Sequence, residues 1–462
     1  MQSCDTLIIN ASCSEYGQNI LAKNSDRPTG EPQPLCFYEA KEYPEGAILR
    51  TTYLDIPQVR KTYAVVGSRP YWIWGFEMGY NEKGLIIGNE AEWSRMETET
   101  EDGLLGMDLL RLGLERAATA REAIEVITEL LKKYGQKASA SKLITRYYEN
   151  SFILADRSEC WVLETAGREW VAREIKDMQG VSNCYSIGKE FDIASEHLVN
   201  IARERRWLSP GEEFDFAKAY TGHVPNLSGG TQRYRRSNKL LAQNKIHSFP
   251  TLAAILRDHH EDELIAPRFG ATSAIFVSLC MHFCDWGNSE TSASLLARYD
   301  DDLGVIARYA PAQACLSAYI PVYMISLPEK MQTAEKKFDK NSLWWQVKRL
   351  GLLVAVDEEH FAEDVRRELA DLEQAFEKLA ISAESMAKKF IKEDSIAEAK
   401  EVLKKTTDTC TEMLYNFSKR EADRIAEIVK ASGGLYGRQK ETIEKYIEYS
   451  EIDLFYNKAV KL

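Results

Sequence analysis

Cys4 lies near the start of the 462-residue chain, shortly before the apolar run Leu7-Ile8-Ile9. A buried cysteine at the beginning of a strand is a common structural feature. Removal of residues 1–3 would instead make Cys4 the N-terminal residue, with a thiol and a free α-amine side by side. Because an α-amine has a pKa of about 7.7–8.0, it can act as the base for the neighbouring thiol. The position alone permits both interpretations.

A charged string, KNSDR at 23–27, follows the second apolar run of the chain. An exposed turn would explain it. If the first two apolar runs pair as a hairpin, however, the string comes to lie beside Cys4. Asp26 could then hold the α-ammonium, and Lys23 or Arg27 could lower the pKa of the thiol.

Residues 72–84 are dense in aromatic residues and glycine, and Asn89 follows a short apolar run. An aromatic wall with a polar amide at a strand end is typical of a concave binding site. We therefore expect Trp72, Trp74 and Glu77 to contact substrate. The side-chain amide of Asn89 could donate to a developing oxyanion. The alternative is that these tryptophans pack in the core and that Asn89 lies in a turn.

The overall composition narrows the possible classes of protein. With 59 Lys and Arg against 71 Asp and Glu, the formal net charge is −12, which disfavours binding to nucleic acid or to an anionic membrane. The nine cysteines are irregularly spaced, as is typical of a reducing compartment. The first ten residues lack the basic and apolar regions of a signal peptide, and no apolar run is long enough to span a membrane. We expect a cytoplasmic protein.

The first 330 residues alternate short β-rich runs with turn residues. Strands are predicted at 7–9, 20–22, 63–66 and 84–88, and a strand pair is predicted within 151–164. Helices are predicted at 104–116 and 119–134. In the second helix, Thr119 is followed three residues later by Glu122, which is the pattern of a capping box.

The chain after about residue 330 is rich in Lys, Glu and Ala and has helical periodicity. Apolar residues recur at 4-3-4-3 spacing at Val365, Leu369, Leu372, Phe376 and Leu379. This pattern predicts amphipathic helices that pack on the same chain or on a partner subunit. We divide the chain on composition into residues 4–330 and a helical C-terminal region, 331–462.

Several segments together resemble a known family. They are Cys4-Asp5-Thr6, KNSDR at 23–27, SRPYWIWGFEMGYNEKGLIIGNEA at 68–91 and GLLGMDLLRLGLERA at 103–117. In order and spacing they are similar to the secernin branch of the cysteine dipeptidase family. That family belongs to the N-terminal-nucleophile (Ntn) hydrolases and is related to the bile-salt hydrolase and penicillin V acylase group. The resemblance covers roughly residues 4–330.

The resemblance implies an α+β fold, a four-layer αββα sandwich of two antiparallel sheets, to which this chain adds a helical C-terminal region. It implies that Cys4 is the nucleophile and that Asp26 orients its amine. Lys23 stands where the bile-salt hydrolase group has an arginine, which keeps the positive charge but not bidentate hydrogen bonding.

Three further residues match the family pattern. Asn89 matches an oxyanion-hole asparagine, Asn183 matches an asparagine that binds near the scissile carbonyl, and Arg233 matches a buried arginine of the site. We expect both asparagines to stabilise the oxyanion, and Lys23 and Arg233 to supply local positive charge. The resemblance thus implies a cysteine amide hydrolase, foremost a dipeptidase, that acts on a small peptide or an N-acyl amine without metal or organic cofactor.

Two alternative functions stay open at this stage. One is an N-acyl amidase or acyltransferase of the same superfamily. The other is a catalytically silent, secernin-like interaction or regulatory protein, for which the C-terminal helices would bind a partner or form a homo-oligomer.

Other candidate groups carry less support. Cys280 to Asp285 contain three residues that can ligate zinc, but no second Cys/His pair follows at ligand spacing. His259 and His260 are predicted to lie at an exposed helix end. A papain-like pairing of Cys4 with His282 is disfavoured, because the residues after Cys4 favour a strand and not a helix.

Overall fold

The computed structural model describes residues 3–97, 99, 101–142, 145–222, 229–263, 277–283, 289–437 and 439–455. Its strands are β1 (Cys4–Ile9), β2 (Ile20–Pro28), β3 (Leu35–Tyr38), β4 (Lys41–Glu42), β5 (Ile48–Arg50), β6 (Asp55–Pro57), β7 (Lys61–Thr62), β8 (Val65–Ser68), β9 (Met78–Asn81), β10 (Ile86–Glu92), β11 (Glu149–Ala155), β12 (Cys160–Ala166), β13 (Glu169–Glu174), β14 (Met178–Ser182), β15 (Ile193–Ala194), β16 (Ser289–Asp300), β17 (Gly304–Pro311) and β18 (Ile320–Tyr323).

The described α-helices are α1 (Gly106–Arg116), α2 (Ala120–Tyr134), α3 (Leu198–Glu204), α4 (Phe216–Tyr220), α5 (Gly230–Leu241), α6 (Phe249–Leu256), α7 (Glu329–Gln332), α8 (Leu343–Val354), α9 (Glu358–Lys392), α10 (Ile396–Ala431) and α11 (Lys440–Ser450). Short 3₁₀ turns occupy Ala11–Cys13 and Ala314–Leu316. Within the described residues, no helix combines the length and the apolar character needed to cross a bilayer.

Two antiparallel sheets form the centre of the molecule. The six-stranded sheet has the order β14-β1-β2-β16-β17-β18, and the eight-stranded sheet has the order β15-β13-β12-β11-β10-β9-β8-β3. Two small ribbons, β4-β7 and β5-β6, lie outside them. The first hairpin, β1 with β2, lies inside the six-stranded sheet and therefore has neighbours on both sides.

Alternation along β1 and β2 divides their side chains between two layers. Ile8 and Leu21 belong to the apolar core between the two sheets. Leu7, Ile9 and Ile20 face the opposite way and pack with α5 and α6. The same alternation sends the side chains of Cys4 and Lys23 toward the space between the sheets and that of Asp5 toward α5.

Helices cover the outer face of each sheet. Residues of α1 and α2 form one apolar cluster with β10, β11 and β12 of the eight-stranded sheet. Residues of α5 and α6 form another cluster with β1, β2 and β16 of the six-stranded sheet. The expected four-layer αββα arrangement, with an additional helical C-terminal region, is confirmed.

Most predicted elements are present, with shifted boundaries. The predicted hairpin pairs Ile9 with Ile20, and α2 begins after Thr119, whose side chain accepts a hydrogen bond from the Glu122 N–H at 3.2 Å. The strands predicted at 63–66 and 84–88 begin two residues later than expected, at Val65 and Ile86. Strand boundaries depend on pairing with distant neighbours, which local sequence does not contain.

The C-terminal helices pack on the six-stranded sheet. The indole N–H of Trp344 in α8 donates to the Ser292 carbonyl at 2.8 Å, and Lys348 forms a buried ion pair with Glu290. Thr407 in α10 donates to the Pro321 carbonyl at 2.9 Å. The helices thus share polar contacts and apolar core with residues before 330, and the division at 330 stays a prediction from composition.

The apolar stripe of α9 ends earlier than predicted. Val365, Leu369 and Phe376 are buried, but Leu379 is 39% exposed, and the buried positions continue at Ala380. A 4-3-4-3 pattern repeats every 3.5 residues, whereas a straight helix has 3.6 residues per turn and drifts by about 20° per heptad. After two heptads this drift reaches about 40°, which turns Leu379 toward solvent and leaves Ala380 on the buried side.

Candidate active site

Cys4 opens β1, and its sulfur lies beside the backbone of β2. It pairs with Ser25 across the strands, and the next residue, Asp26, donates its backbone N–H to Cys4 Sγ at 3.4 Å. Cys4 is 5% exposed. The hairpin register thus places a hydrogen-bond donor on the sulfur without help from any side chain.

Two residues from other elements hold the backbone of Cys4. Asn183, directly after β14, accepts the Cys4 N–H through Oδ1 at 2.8 Å. Arg233 in α5 donates to the Cys4 carbonyl at 2.9 Å, to Asn183 Oδ1 at 2.8 Å and to Asp5 Oδ2 at 2.7 Å. All four residues are buried, so this network fixes the position of the Cys4 nitrogen.

The start of α5 approaches the site very closely. A Cβ at Gly230 would lie 2.2 Å from the Asn183 carbonyl oxygen. Only glycine allows this approach without a shift of backbone. Gly230 therefore allows α5 to present Arg233 to Asn183 and Cys4.

A buried ion pair lies on the inter-sheet side of the hairpin. Lys23 Nζ is 3.2 Å from Glu90 Oε1, and Thr6, which pairs with Lys23 across the strands, donates to the same carboxylate. Burial alone would lower the pKa of Lys23. The nearby negative charges of Cys4 and Glu90 have a larger effect, and the pKa of Lys23 is raised. Burial raises the pKa of Glu90 to about 8, against the opposite effect of Lys23.

Asp26 lies among hydrogen-bond donors. Its carboxylate accepts from Ser3 Oγ at 3.0 Å and from Thr291 Oγ1 at 2.7 Å. Burial, with the nearby charge of Asp5, raises the pKa of Asp26 to about 7, although Arg233 lowers it. Ser3 thus occupies one oxygen of the carboxylate that the sequence assigns to the amine of Cys4.

The amide of Asn89 lies between Asn150 and Glu77. In one orientation its nitrogen donates to Asn150 Oδ1 at 3.2 Å. In the other it donates to Glu77 Oε2 at 2.8 Å and to the Glu77 carbonyl at 3.0 Å. Arg27 holds the Glu77 carboxylate at 2.7 Å and is also paired with Glu31. An oxyanion near Asn89 would therefore have to replace one of these hydrogen bonds.

Charges around Cys4 determine the state of its thiol. Burial raises the pKa of the Cys4 thiol far above its ordinary value. Lys23 lowers it, while Glu90, Glu77 and Asp26 raise it further. Of the two cations considered from sequence, Lys23 acts on the thiol, whereas Arg27 is paired with carboxylates. A thiol in this environment needs a base beside it to react.

The two tryptophans expected to contact substrate lie in different clusters. Trp72 packs at the edge of a small apolar cluster that contains Ala91 and Tyr148. Trp74 packs in the layer between the eight-stranded sheet and α1, with the Arg111 guanidinium 4.1 Å from its ring centroid. The structure thus brings Glu77 and Asn89 together, and Trp72 near the end of β10, while Trp74 lies on the outer side of the sheet.

His282 belongs to a separate group, the Cys/His cluster, which consists of His259, Cys280, His282 and Cys315. The expectation that His259 and His260 lie at an exposed helix end is wrong: both are buried, because they follow the end of α6 and turn inward. Of the sequence candidates in this segment, Cys284 lies outside the described residues.

Sequence analysis missed several residues of the site. Glu90 follows Asn89 directly and Asp5 follows Cys4, but a single acidic residue in an apolar strand gave no reason to choose either. Thr291 approaches Asp26 through the pairing of β2 with β16, 265 residues apart in sequence. Because β10 continues to Glu92, four residues past the strand predicted at 84–88, the sequence contained no signal that the Glu90 carboxylate is buried.

Comparison with known proteins identifies the family. The model of peptidase family C69 matches residues 3–250, which is more than half of the chain. The chain belongs to peptidase family C69. This family match begins at Ser3 and contains every residue named above for the site except Thr291.

Curated relatives of this C69 chain carry dipeptidase names. A dipeptidase of Bifidobacterium longum is 26% identical over 217 residues, 41% of this chain and 39% of the relative. A probable dipeptidase B of Lactococcus lactis is 28% identical over 187 residues, 38% of this chain and 37% of the relative. The matches thus span about two fifths of the length of these relatives.

Solved structures with a similar arrangement include two hydrolases. A conjugated bile acid hydrolase of Clostridium perfringens gives a TM-score of 0.40 with 13% identity, and covers 70% of this chain and 92% of its own. An N-acylethanolamine-hydrolyzing acid amidase ortholog of Caenorhabditis elegans gives a TM-score of 0.32 with 11% identity over 57% of this chain and 90% of its own. The family assignment rests on the sequence match.

Proposed function

We propose that this C69 chain is a cysteine amide hydrolase of the Ntn type, and specifically a dipeptidase that uses Cys4 after residues 1–3 are removed. The observation that carries this proposal is the network at the Cys4 nitrogen. Asn183 Oδ1 accepts from it at 2.8 Å, and Arg233 fixes both Asn183 and the Cys4 carbonyl. Two buried polar side chains, Asn183 and Arg233, therefore hold the backbone N–H and the carbonyl of Cys4.

Removal of Ser3 changes the donors available to Asp26. Ser3 Oγ donates to Asp26 Oδ2 while Ser3 is attached. In the processed chain, the new α-ammonium of Cys4 takes over this acceptor and keeps Asn183 Oδ1 as a second one. A cation beside the carboxylate lowers the pKa of Asp26 from the value that burial gives it.

The proposed reaction proceeds in two stages. In its neutral form, the α-amine takes the proton from Cys4 Sγ, and the resulting thiolate attacks the scissile carbonyl carbon. The C–N bond breaks as the amine passes that proton to the leaving amine, and a thioester remains on Cys4. Water, deprotonated by the same amine, then cleaves the thioester and restores the thiol.

The two asparagines take different parts in this scheme. Asn183 donates through Nδ2 to the Ala91 carbonyl at 2.8 Å, and its oxygen faces the Cys4 nitrogen. We therefore assign Asn183 to holding the amine and not to the oxyanion. Asn89 supplies the N–H for the oxyanion, at the expense of its hydrogen bond to Glu77 or Asn150.

We propose that substrate approaches from a cavity of about 110 Å³ at the end of β10. Trp93, Tyr148 and Glu149 line it, and Ala91, which binds Asn183, lies two residues before Trp93. Burial raises the pKa of Tyr148, and the charges of Glu77 and Cys4 raise it further, against the effect of Arg27. Tyr148 thus lines the cavity and also lies within electrostatic range of Cys4.

The proposal also concerns the compartment. All eight described cysteines are free thiols, which supports a reducing location such as the cytoplasm. Homo-oligomerisation through the C-terminal helices and the absence of nucleic-acid binding remain predictions.

The decisive experiment combines a mass measurement with an activity assay. Intact mass of the purified protein should correspond to a chain that begins at Cys4. This protein should hydrolyse a panel of dipeptides faster than N-acyl amines, and a thiol-directed electrophile should label Cys4.

The matched variants are Cys4→Ala and Cys13→Ala, which alter two free thiols of the same N-terminal region. Only Cys4→Ala should lose hydrolysis and labelling, with its circular dichroism unchanged. A chain that keeps Ser3 and shows no turnover would refute the proposal. Preference for N-acyl amines would keep the mechanism and replace the dipeptidase assignment with the amidase.

A further inference from the structure

The Cys/His cluster brings together residues from three stretches of the chain. His259 follows α6, Cys280 and His282 lie in the segment 277–283 that precedes β16, and Cys315 lies in the 3₁₀ turn after β17. All four residues are buried, and their ligand atoms lie within 4.8 Å of one another. Of these four residues, Cys280 and His282 are the two that lie close together in sequence. The fold brings His259 and Cys315 to them.

The separations match those of a four-coordinate metal site. His259 Nε2 lies 3.1 Å from His282 Nε2, and His282 Nε2 lies 3.2 Å from Cys315 Sγ and 3.8 Å from Cys280 Sγ. The edge of a tetrahedron is about 1.6 times its radius, so Zn–N of about 2.0 Å and Zn–S of about 2.3 Å give ligand separations of about 3.3–3.8 Å. Three of the six ligand separations, all measured from His282 Nε2, thus lie between 3.1 and 3.8 Å, and all six are within 4.8 Å.

His259 also has a carboxylate partner on the ring nitrogen that does not face the cluster, as metal-binding histidines usually do. Its Nδ1 lies 3.0 Å from Glu261 Oε1. When Nδ1–H donates to this carboxylate, the tautomer is fixed and the lone pair of Nε2 points into the cluster. A carboxylate behind a histidine orients and strengthens that histidine as a ligand.

We propose that His259, Cys280, His282 and Cys315 bind one Zn²⁺ ion in a structural Cys₂His₂ site. Four protein ligands leave no open position, so the ion holds the fold and takes no part in the reaction. Thiolate and imidazole ligands favour zinc over magnesium, calcium or manganese. His259 and Cys315 also line a cavity of about 210 Å³, through which an ion can enter.

The site would hold the segment 277–283 against the rest of the sheet. Between the ligands Cys280 and His282, Met281 points away toward Ser3. Its backbone exchanges hydrogen bonds with Thr291, at 2.9 Å to the hydroxyl and 3.0 Å from the amide, and this hydroxyl donates to Asp26. The zinc ligands are thus positioning residues for Asp26, through Met281 and Thr291.

The test measures metal in the full chain, purified without chelators from zinc-supplemented cells. Inductively coupled plasma mass spectrometry should find about one zinc per chain, and X-ray absorption at the zinc edge should show two sulfur and two nitrogen neighbours. Exchange with Co²⁺ should give the visible absorption of a tetrahedral site with thiolate ligands. These readouts need no activity, and they can be repeated in Cys4→Ala.

Matched variants locate the site. His259→Ala and Cys315→Ala should lose the metal, whereas His260→Ala and Cys410→Ala, which alter a neighbouring buried histidine and a distant buried cysteine, should keep it. Glu261→Gln keeps all four ligands and should weaken zinc binding by about 10–100-fold. This variant stays informative if removal of a ligand prevents folding.

Two results would overturn the proposal. The first is native protein that contains neither zinc nor another thiophilic ion and does not take up Co²⁺. The second is a Cys280–Cys315 disulfide in non-reducing peptide maps of freshly purified protein, which would make the pair a redox couple.

Discussion

Two buried cysteine-containing groups lie on opposite sides of Met281, and they differ in what surrounds the sulfur. Around Cys4 the neighbours are a backbone N–H, a paired lysine and glutamate, and an amide that holds the backbone nitrogen. In the Cys/His cluster, two sulfur atoms meet two imidazole nitrogens, and the only carboxylate of the described contacts lies behind a ring. Both groups thus contain buried cysteine, but the groups in contact with the sulfur atoms are different.

The difference teaches that the neighbours of a cysteine, and not its burial, indicate its chemistry. A nucleophile needs a base and a place for developing charge, so its surroundings contain ionised groups and hydrogen-bond donors. A metal ligand needs other lone pairs that converge on one point. Each of the following predictions changes one region and asks whether the other responds.

The largest effect is expected for Lys23→Met. The change leaves the buried Glu90 carboxylate without its cation, and breaking a buried ion pair from one side costs about 3–5 kcal/mol. Urea denaturation above pH 8, where Glu90 is ionised, should show this loss of stability, while zinc content stays unchanged. Lys23→Arg keeps the charge and serves as the control. A loss below about 1 kcal/mol would mean that Glu90 is neutral in the native protein.

Asn183→Ala removes the acceptor of the Cys4 nitrogen and one partner of Arg233. If Asn183 holds the amine, kcat should fall by about 10²–10³-fold with little change in KM, as for loss of one well-placed polar group. Asn238→Ala, which removes a contact of α5 with β14 outside the site, is the control. An equal loss in both variants would assign Asn183 to packing of α5.

The pH dependence of stability tests whether the buried carboxyl group of Asp26 is protonated in the folded protein. Its pKa is about 7 in the folded, unprocessed chain against an ordinary 3.8, so between these values the folded state keeps a proton that the unfolded state has lost. Stability should therefore fall as pH rises from 3.8 to about 7, with a slope of up to about 1.4 kcal/mol per pH unit.

Glu90 adds a parallel slope up to about pH 8, because burial raises its pKa as well. Asp26→Asn in the unprocessed chain should reduce the slope of stability against pH by the contribution of one titrating group. Denaturation at several pH values measures this slope. An unchanged slope would show that Asp26 is ionised throughout.

Gly230→Ala tests the close approach of α5. The added Cβ would meet the Asn183 carbonyl at 2.2 Å, so backbone must shift. Overpacking of this kind costs about 1–3 kcal/mol, and the shift should lower kcat as well. Gly211→Ala tests a glycine with open space, although its positive φ adds some strain there. Full activity in Gly230→Ala would mean that Asn183 tolerates displacement.

Part of the Cys4 site could be predicted from sequence, because the hairpin that carries Cys4 is formed by residues that are close together in the chain. Two short apolar runs with a turn between them predicted the β1–β2 hairpin, and this hairpin alone brings Cys4 next to Asp26. The family resemblance added Asn183 and Arg233. Nothing local indicated Thr291 or Ser3, since both contacts depend on where distant strands meet.

The Cys/His cluster could not be predicted in the same way. Its ligands are separated by 21 and 33 residues, and each lies in an irregular connection without periodicity. Sequence analysis singled out Cys280, His282 and Cys284 as possible zinc ligands and predicted that His259 lies at an exposed helix end. Only the packing of α6, segment 277–283 and the turn after β17 completes the set of four ligands.

The smallest effect concerns the connection between the two regions. Met281 and Thr291 link the zinc ligands to Asp26, so removal of zinc should lower kcat/KM in the native protein by a few-fold. Thr291→Val interrupts this link, and the loss caused by Glu261→Gln should then be smaller than in the native background. A double-mutant cycle should give a coupling energy of about 0.5–1 kcal/mol. Strict additivity would show that the two cysteine groups share a sheet but act independently, because a metal that only stabilises the fold affects both backgrounds equally.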